Sequence, residues 1–149
     1  MAEKVKIKLY NKSIANSSYK TLFVKGRIND KKGYFIVDTG ASDILLNKQY
    51  IDLQTLKEKI VKEKNKDTDI EIFGFANSFE KGILLENIDI YISRYKFDLD
   101  IVVAAEHMES LSKHFSKKFN LLGFIGLDFL NEYKGIIDLK KNYLYLYLY

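Results

Sequence analysis

The sequence predicts an all-β domain, and three observations carry that prediction. Proline is absent and Tyr and Phe number 11 and 10, a composition that favours pleated sheet. Short runs alternate apolar and polar residues with period two. Turn residues punctuate those runs.

The elements follow in order along the chain. Val5, Ile7 and Leu9 alternate with lysines, the pattern of a half-buried strand. Residues 21–28 form a second strand that runs into the turn Asn29-Asp30-Lys31-Lys32-Gly33, and the stretch from Gly33 returns as its hairpin partner. Tyr50, Leu53, Leu56 and Ile60 then recur at helical spacing among Lys, Glu and Gln, predicting an amphipathic surface helix that ends in the charge run 62–67. Residues 68–79 are extended with a turn at 74–78, and strands at 84–92 and 97–103 are joined by Ser93-Arg94-Tyr95-Lys96. Met108, Leu111, Phe115 and Phe119 share one face of a second helix. The apolar run 121–130 leads through a helical turn, stopped near Gly135, into a hairpin whose last strand is Tyr143-Leu144-Tyr145-Leu146-Tyr147-Leu148-Tyr149. No linker interrupts this, so residues 1–149 read as one domain.

Composition excludes several kinds of chemistry. The chain has no cysteine, which removes disulfides, thiol catalysis and cysteine-ligated zinc. His107 and His114 are the only histidines, so serine–histidine and metal–histidine mechanisms have almost nothing to work with, and no metal or cofactor is expected. The net charge of +4 invites nucleic acid as a partner. Of 24 basic residues, however, only Arg27 and Arg94 are arginine, and lysines spread along the chain read as a solvated surface, so no nucleic-acid partner is expected. No segment reaches the length of a membrane span, and the first ten residues lack the apolar centre of a signal peptide. The chain as given reads as cytoplasmic, with an export signal removed as the other option.

One stretch resists a purely structural reading. Gly33-Tyr34-Phe35-Ile36-Val37 is an apolar strand that ends abruptly on Asp38, followed by Thr39, Gly40, Ala41, Ser42 and Asp43. A carboxylate at the end of a buried run is costly unless it is hydrogen-bonded, paired or able to titrate. The bland alternative is that Asp38 caps a turn. Asp98 and Asp100 alternate with apolar neighbours and read as the wet face of a strand rather than as catalysts.

Apolar residues followed by Asp38-Thr39-Gly40-Ala41-Ser42, with Phe124-Ile125-Gly126-Leu127-Asp128-Phe129-Leu130 far downstream, resemble the paired signatures of retropepsin-like aspartic proteases. The Gly-Leu-Asp-Phe-Leu form is similar to that of bacterial single-domain members. The resemblance implies a retropepsin-like closed β-barrel with one or two added surface helices, acting as an aspartic endopeptidase. Such an enzyme needs two carboxylates that share a proton, one serving as base toward water and the other donating to the amide carbonyl. With one Asp-Thr-Gly per chain, the second Asp38 must come from a second copy, so the resemblance implies a homodimer acting on peptide or protein.

It also distributes roles. Asp38, Thr39 and Gly40 are the catalytic motif, with Thr39 bonding across the two-fold axis and Gly40 allowing close backbone approach. Ala41, Ser42 and Asp43 line the substrate cleft, as do Phe73, Gly74, Phe75 and Ala76 of a flap whose tip reaches substrate through a water. Ile125, Gly126 and Asp128 support the loop, Asp128 as a brace or helix cap. Retropepsins interleave terminal strands at their dimer interface, and the tyrosine-and-leucine strand 143–149 is either covered within the fold or used in such a contact. A retropepsin-like module that binds peptide or dimerises without catalysis is the alternative reading.

Pepsin-type enzymes commonly carry Ser or Thr where this chain has Ala41, and that hydroxyl stabilises the ionised dyad. Without it the dyad pKa is higher, so a pH profile of peptide cleavage is expected to peak in weak acid. A peak below about pH 3 would contradict this account of Ala41.

Overall fold

Parallel pairing of two apolar segments, Tyr34 to Val37 and Leu121 to Ile125, sets the architecture. The computed structural model describes residues 2–13, 20–61, 69–73, 79–106, 108 and 120–149, and among them the strands are β1 (Glu3–Lys8), β2 (Tyr10–Ser13), β3 (Lys20–Ile28), β4 (Lys31–Val37), β5 (Leu45–Asn47), β6 (Asp69–Phe73), β7 (Phe79–Ile92), β8 (Tyr95–Ala105), β9 (Leu121–Ile125), β10 (Ile136–Asp138) and β11 (Tyr143–Leu148). Two short helices, α1 (Leu53–Lys59) and α2 (Leu127–Glu132), complete them. The predicted all-β class holds.

One sheet has the order β2-β3-β4-β9-β5-β8-β7-β6. An additional β3–β7 pairing, Gly26 to Ile28 against Ile92 to Ile90, returns to the start, so β3, β4, β9, β5, β8 and β7 run as a ring. β4 and β9 are parallel neighbours inside that ring, with Val37 opposite Ile125. A parallel pair is covered on both faces, which explains why Phe35, Ile36, Val37 and all five residues of β9 are buried with no polar alternation. β5 slips in beside β9 with Leu45 opposite Phe124. Buried Asn47 at its end is satisfied: Nδ2 donates to the Leu121 carbonyl at 2.8 Å and Oδ1 accepts from the Gln49 amide at 3.2 Å.

The termini form a second sheet of order β1-β11-β10. Leu144 and Leu146 are fully buried, as are Val5 and Ile7 opposite them. On the other face the Lys4 and Lys6 ammonium groups lie 4.5 and 4.4 Å from the Tyr145 and Tyr143 ring centres. Tyr143 and Tyr145 are therefore covered within the chain, by lysine stems and cation–π contacts, whereas Tyr149 is 79% exposed. β11 has a paired neighbour on each edge, β1 along all six residues and β10 along Tyr143 to Tyr145.

Several boundaries differ from expectation. The first helix begins later, because the Asp52 carboxylate caps it by accepting from the Thr55 amide at 2.7 Å. Tyr50 falls in a preceding 3-10 turn, Leu53 points outward with 74% of its surface exposed, and Ile60 has left the helix to bridge Leu85. The first hairpin is tighter than the five-residue turn read from the sequence: Ile28 pairs with Lys31, and Asn29 takes the left-handed conformation at φ 53. Gly33 lies inside β4 instead. Residues 107 and 109–119, which hold the second expected helix and both histidines, lie outside the described residues, as does the charge run 62–67. Among the described residues no helix is long and apolar enough to cross a membrane.

The β5–β9 contact depends on a missing side chain, since a Cβ on Gly123 would fall 2.1 Å from the Leu45 carbonyl oxygen. Gly123→Ala is expected to destabilise the fold by about 1–3 kcal/mol through overpacking, read as a lower denaturant midpoint with unchanged slope.

Candidate active site

β4 delivers Asp38 to the end of the ring. Its ladder with β9 continues one bond further, the Asp38 amide donating to the Ile125 carbonyl at 2.9 Å. Beyond that bond the chain turns. The Gly40 amide donates to Asp38 Oδ1 at 2.9 Å and the Ala41 amide to the Asp38 carbonyl at 3.2 Å, so one carboxylate oxygen is held while the side chain stays half-buried. Thr39 and Gly40 are exposed at the tip, and Ala41 is half-buried behind them.

α2 braces this loop from below. Helix starts leave amides without intrahelical partners. Here two of them find the loop: Leu127 donates to the Ala41 carbonyl and Asp128 to the Ser42 carbonyl, both at 2.8 Å. Gly126, the N-cap, makes this closeness feasible, because a Cβ there would lie 2.4 Å from the Asp43 carbonyl oxygen and 2.8 Å from its nitrogen. α2 in turn is anchored by Phe129 and Tyr133 packing on Phe97 of β8, with all three ring centres 4.7 to 5.1 Å apart.

Asp38, Thr39, Gly40, Ala41, Ser42, Asp43, Ile125, Gly126 and Asp128 thus converge on one end of the β4–β9 pair. Asp128 does not cap α2, whose N-cap Gly126 has no side chain to offer. Its carboxylate instead meets that of Asp43. Hydrogen bonding to Asp128, then burial, then the Asp128 charge raise the Asp43 pKa above the ordinary carboxylate value. The flap residues are placed only in part. Phe73 ends β6 opposite Phe79, the last pair of the β6–β7 ladder before the connection, whereas Gly74, Phe75 and Ala76 lie outside the described residues.

The fold has a solved counterpart. The retroviral protease-like domain of Ddi1 from Leishmania major superposes with a TM-score of 0.56 over 83% of this chain and 86% of that one, at 19% identity. The fold is retropepsin-like. A retropepsin-like aspartic protease from Rickettsia conorii also aligns, over 99% of this chain and 92% of that one, at 21% identity and a TM-score of 0.46. No protein-family model and no curated protein sequence matches the chain.

Within this retropepsin-like fold, one grouping went unread in the sequence. Asp43 and Asp128 share a cleft of about 420 Å³ with Asp98, Asp100 and Glu132, over a floor that includes Ile44, Phe129 and Tyr133. Asp98 and Asp100 are exposed, as their alternation implied, yet their face of β8 borders the site. The period-two spacing put both on one side; only the ring brought that side to α2.

The Asp43–Asp128 pair fixes a sign. A carboxyl whose folded pKa is raised binds its proton more tightly folded than unfolded, so it stabilises the fold at low pH, and that contribution is lost as pH rises through the raised value. Asp128→Asn replaces the shared proton with a permanent amide donor. The melting temperature of the unaltered chain is therefore expected to fall relative to that of Asp128→Asn as pH rises above the ordinary carboxylate value. Parallel melting curves for the two would refute the shared proton.

Proposed function

We propose that the chain is an aspartic endopeptidase that works as a homodimer, with Asp38 of each copy forming the acid–base pair. The observation that carries this reading is the fixed Asp38 carboxylate at the end of a buried strand, held by the Gly40 amide on a loop braced by α2. The retropepsin-like fold supports it, as does the exposure of Thr39 and Gly40, which leaves the loop tip available to a second copy.

The mechanism follows from the pairing. At about 3 Å separation and an effective dielectric near 20, two ionised carboxylates repel by roughly 5 kcal/mol, so the pair holds one proton across the working pH range. The ionised Asp38 takes a proton from water as that water attacks the amide carbon. The protonated Asp38 of the other copy donates to the carbonyl oxygen, and proton return to the nitrogen releases the amine. Substrate is a peptide or protein in extended form lying across the two loops.

Incubation of a diverse peptide mixture with the chain and with Asp38→Asn, at tens of micromolar and pH 3.5 to 7, tests this. Cleavage is expected from the unaltered chain and a loss of at least about a hundredfold in the variant. Equal cutting by both would exclude Asp38 as the catalyst. No cutting by a folded, dimeric chain would leave the groove as a peptide-binding site.

A further inference from the structure

At the far end of β4 from Asp38, the chain's two arginines come together. Arg27 on β3 and Arg94 in the β7–β8 turn line a groove of about 650 Å³ with Lys25 and Lys32. Its wall includes Gly26 and Gly33, which face each other across the β3–β4 pair. The turn is tied down by the Ser93 amide donating to the Lys25 carbonyl at 2.6 Å, and the Tyr34 amide is bonded to the Asn120 carbonyl at 2.8 Å. From Tyr34 to Asp38 is four strand residues, about 13 Å, so this groove and the loop lie at opposite ends of one strand.

The arginines are pre-set. The Arg27 guanidinium lies 3.7 Å from the Tyr91 ring centre and donates through Nη1 to the Asn29 carbonyl at 2.7 Å. Arg94 lies 5.3 Å from the Tyr95 ring centre and donates to its hydroxyl at 3.2 Å. A guanidinium offers five N–H donors in a planar fork, and a stacked one loses little further freedom on meeting a carboxylate. Among the described residues no acidic side chain lines the groove. Four cations are thus gathered without a carboxylate in the same wall.

We propose that this groove binds an acidic stretch of polypeptide, seating Asp or Glu carboxylates on the forks of Arg27 and Arg94 and on the Lys25 and Lys32 ammonium groups. Charge complementarity and fork geometry select carboxylates. Single-stranded nucleic acid fits less well, because bases need open aromatic faces: the neighbouring Tyr91 and Tyr95 rings already carry guanidinium groups, and Tyr34, the ring in the wall, packs edge-on with Tyr10. The groove does not depend on catalysis at Asp38.

Fluorescence anisotropy with a labelled Asp/Glu-rich octapeptide, its Asn/Gln counterpart and a labelled thymidine oligonucleotide tests the proposal. The full chain is expected to bind the acidic peptide at low salt, to lose that binding as salt is raised past about 0.1 M, and to ignore the neutral peptide. Asp38→Asn should bind unchanged, separating this site from the cleft. Arg94→Gln with Lys32→Gln, both exposed side chains, should weaken binding about tenfold or more with melting temperature retained. If that pair compromises folding, Lys25→Gln, also exposed, should weaken it severalfold. Equal affinity for the neutral peptide, undiminished binding by the folded variants, or tighter binding of the oligonucleotide would overturn it.

Discussion

The bond from the Asp38 amide to the Ile125 carbonyl is the joint on which the site depends. It carries the parallel β4–β9 ladder one step past the buried strand, so that the chain must turn at a place already anchored on both sides. From that joint the loop is fixed in succession. Gly40 holds the carboxylate, Ala41 and Ser42 receive the first amides of α2, and Gly126 lets helix and loop touch backbone to backbone. A loop on the surface is ordinarily the softest part of a domain. This one is secured by hydrogen bonds to two elements whose own packing lies in the core.

That arrangement explains why two apolar segments so distant in sequence both end in glycine-containing turns. β4 ends in Asp38-Thr39-Gly40 and β9 ends in Gly126, and the turns pack against each other because the strands are adjacent and parallel. The same adjacency places carboxylates at one end of the strand pair and cations at the other. Charge is thus separated along β4, although the net charge of the whole chain is small.

The terminal sheet shows how one alternating pattern is used on both faces. Alternating Leu and Tyr in β11 leaves neither face plainly wet. Leu144 and Leu146 meet Ile7 and Val5 in the core, while Lys4 and Lys6 lie over the tyrosines. Lysine does this readily, since its stem is apolar and its charge is attracted to a ring face. The lysine alternation of the first strand and the tyrosine alternation of the last are two halves of one surface.

The sequence by itself determined the strand periods, the position of Asp38 at the end of a buried run, and the resemblance of its two glycine turns to a paired signature. These are local or short-range properties, set by side-chain alternation and by what residues such as Gly, Asn and Asp permit. Helix limits were less legible, because Asp52 could cap only where the chain leaves β5, and Leu53 at helical spacing says nothing about which face is covered. The pairing of Asp43 with Asp128, the acidic face of β8 beside α2, and the meeting of Arg27 with Arg94 were decided only by tertiary structure. Each joins residues distant in sequence: backbone bonds from α2 to the loop bring Asp128 to Asp43, and closure of the ring through β3–β7 brings Arg27 beside the turn of Arg94, contacts that no side-chain spacing encodes.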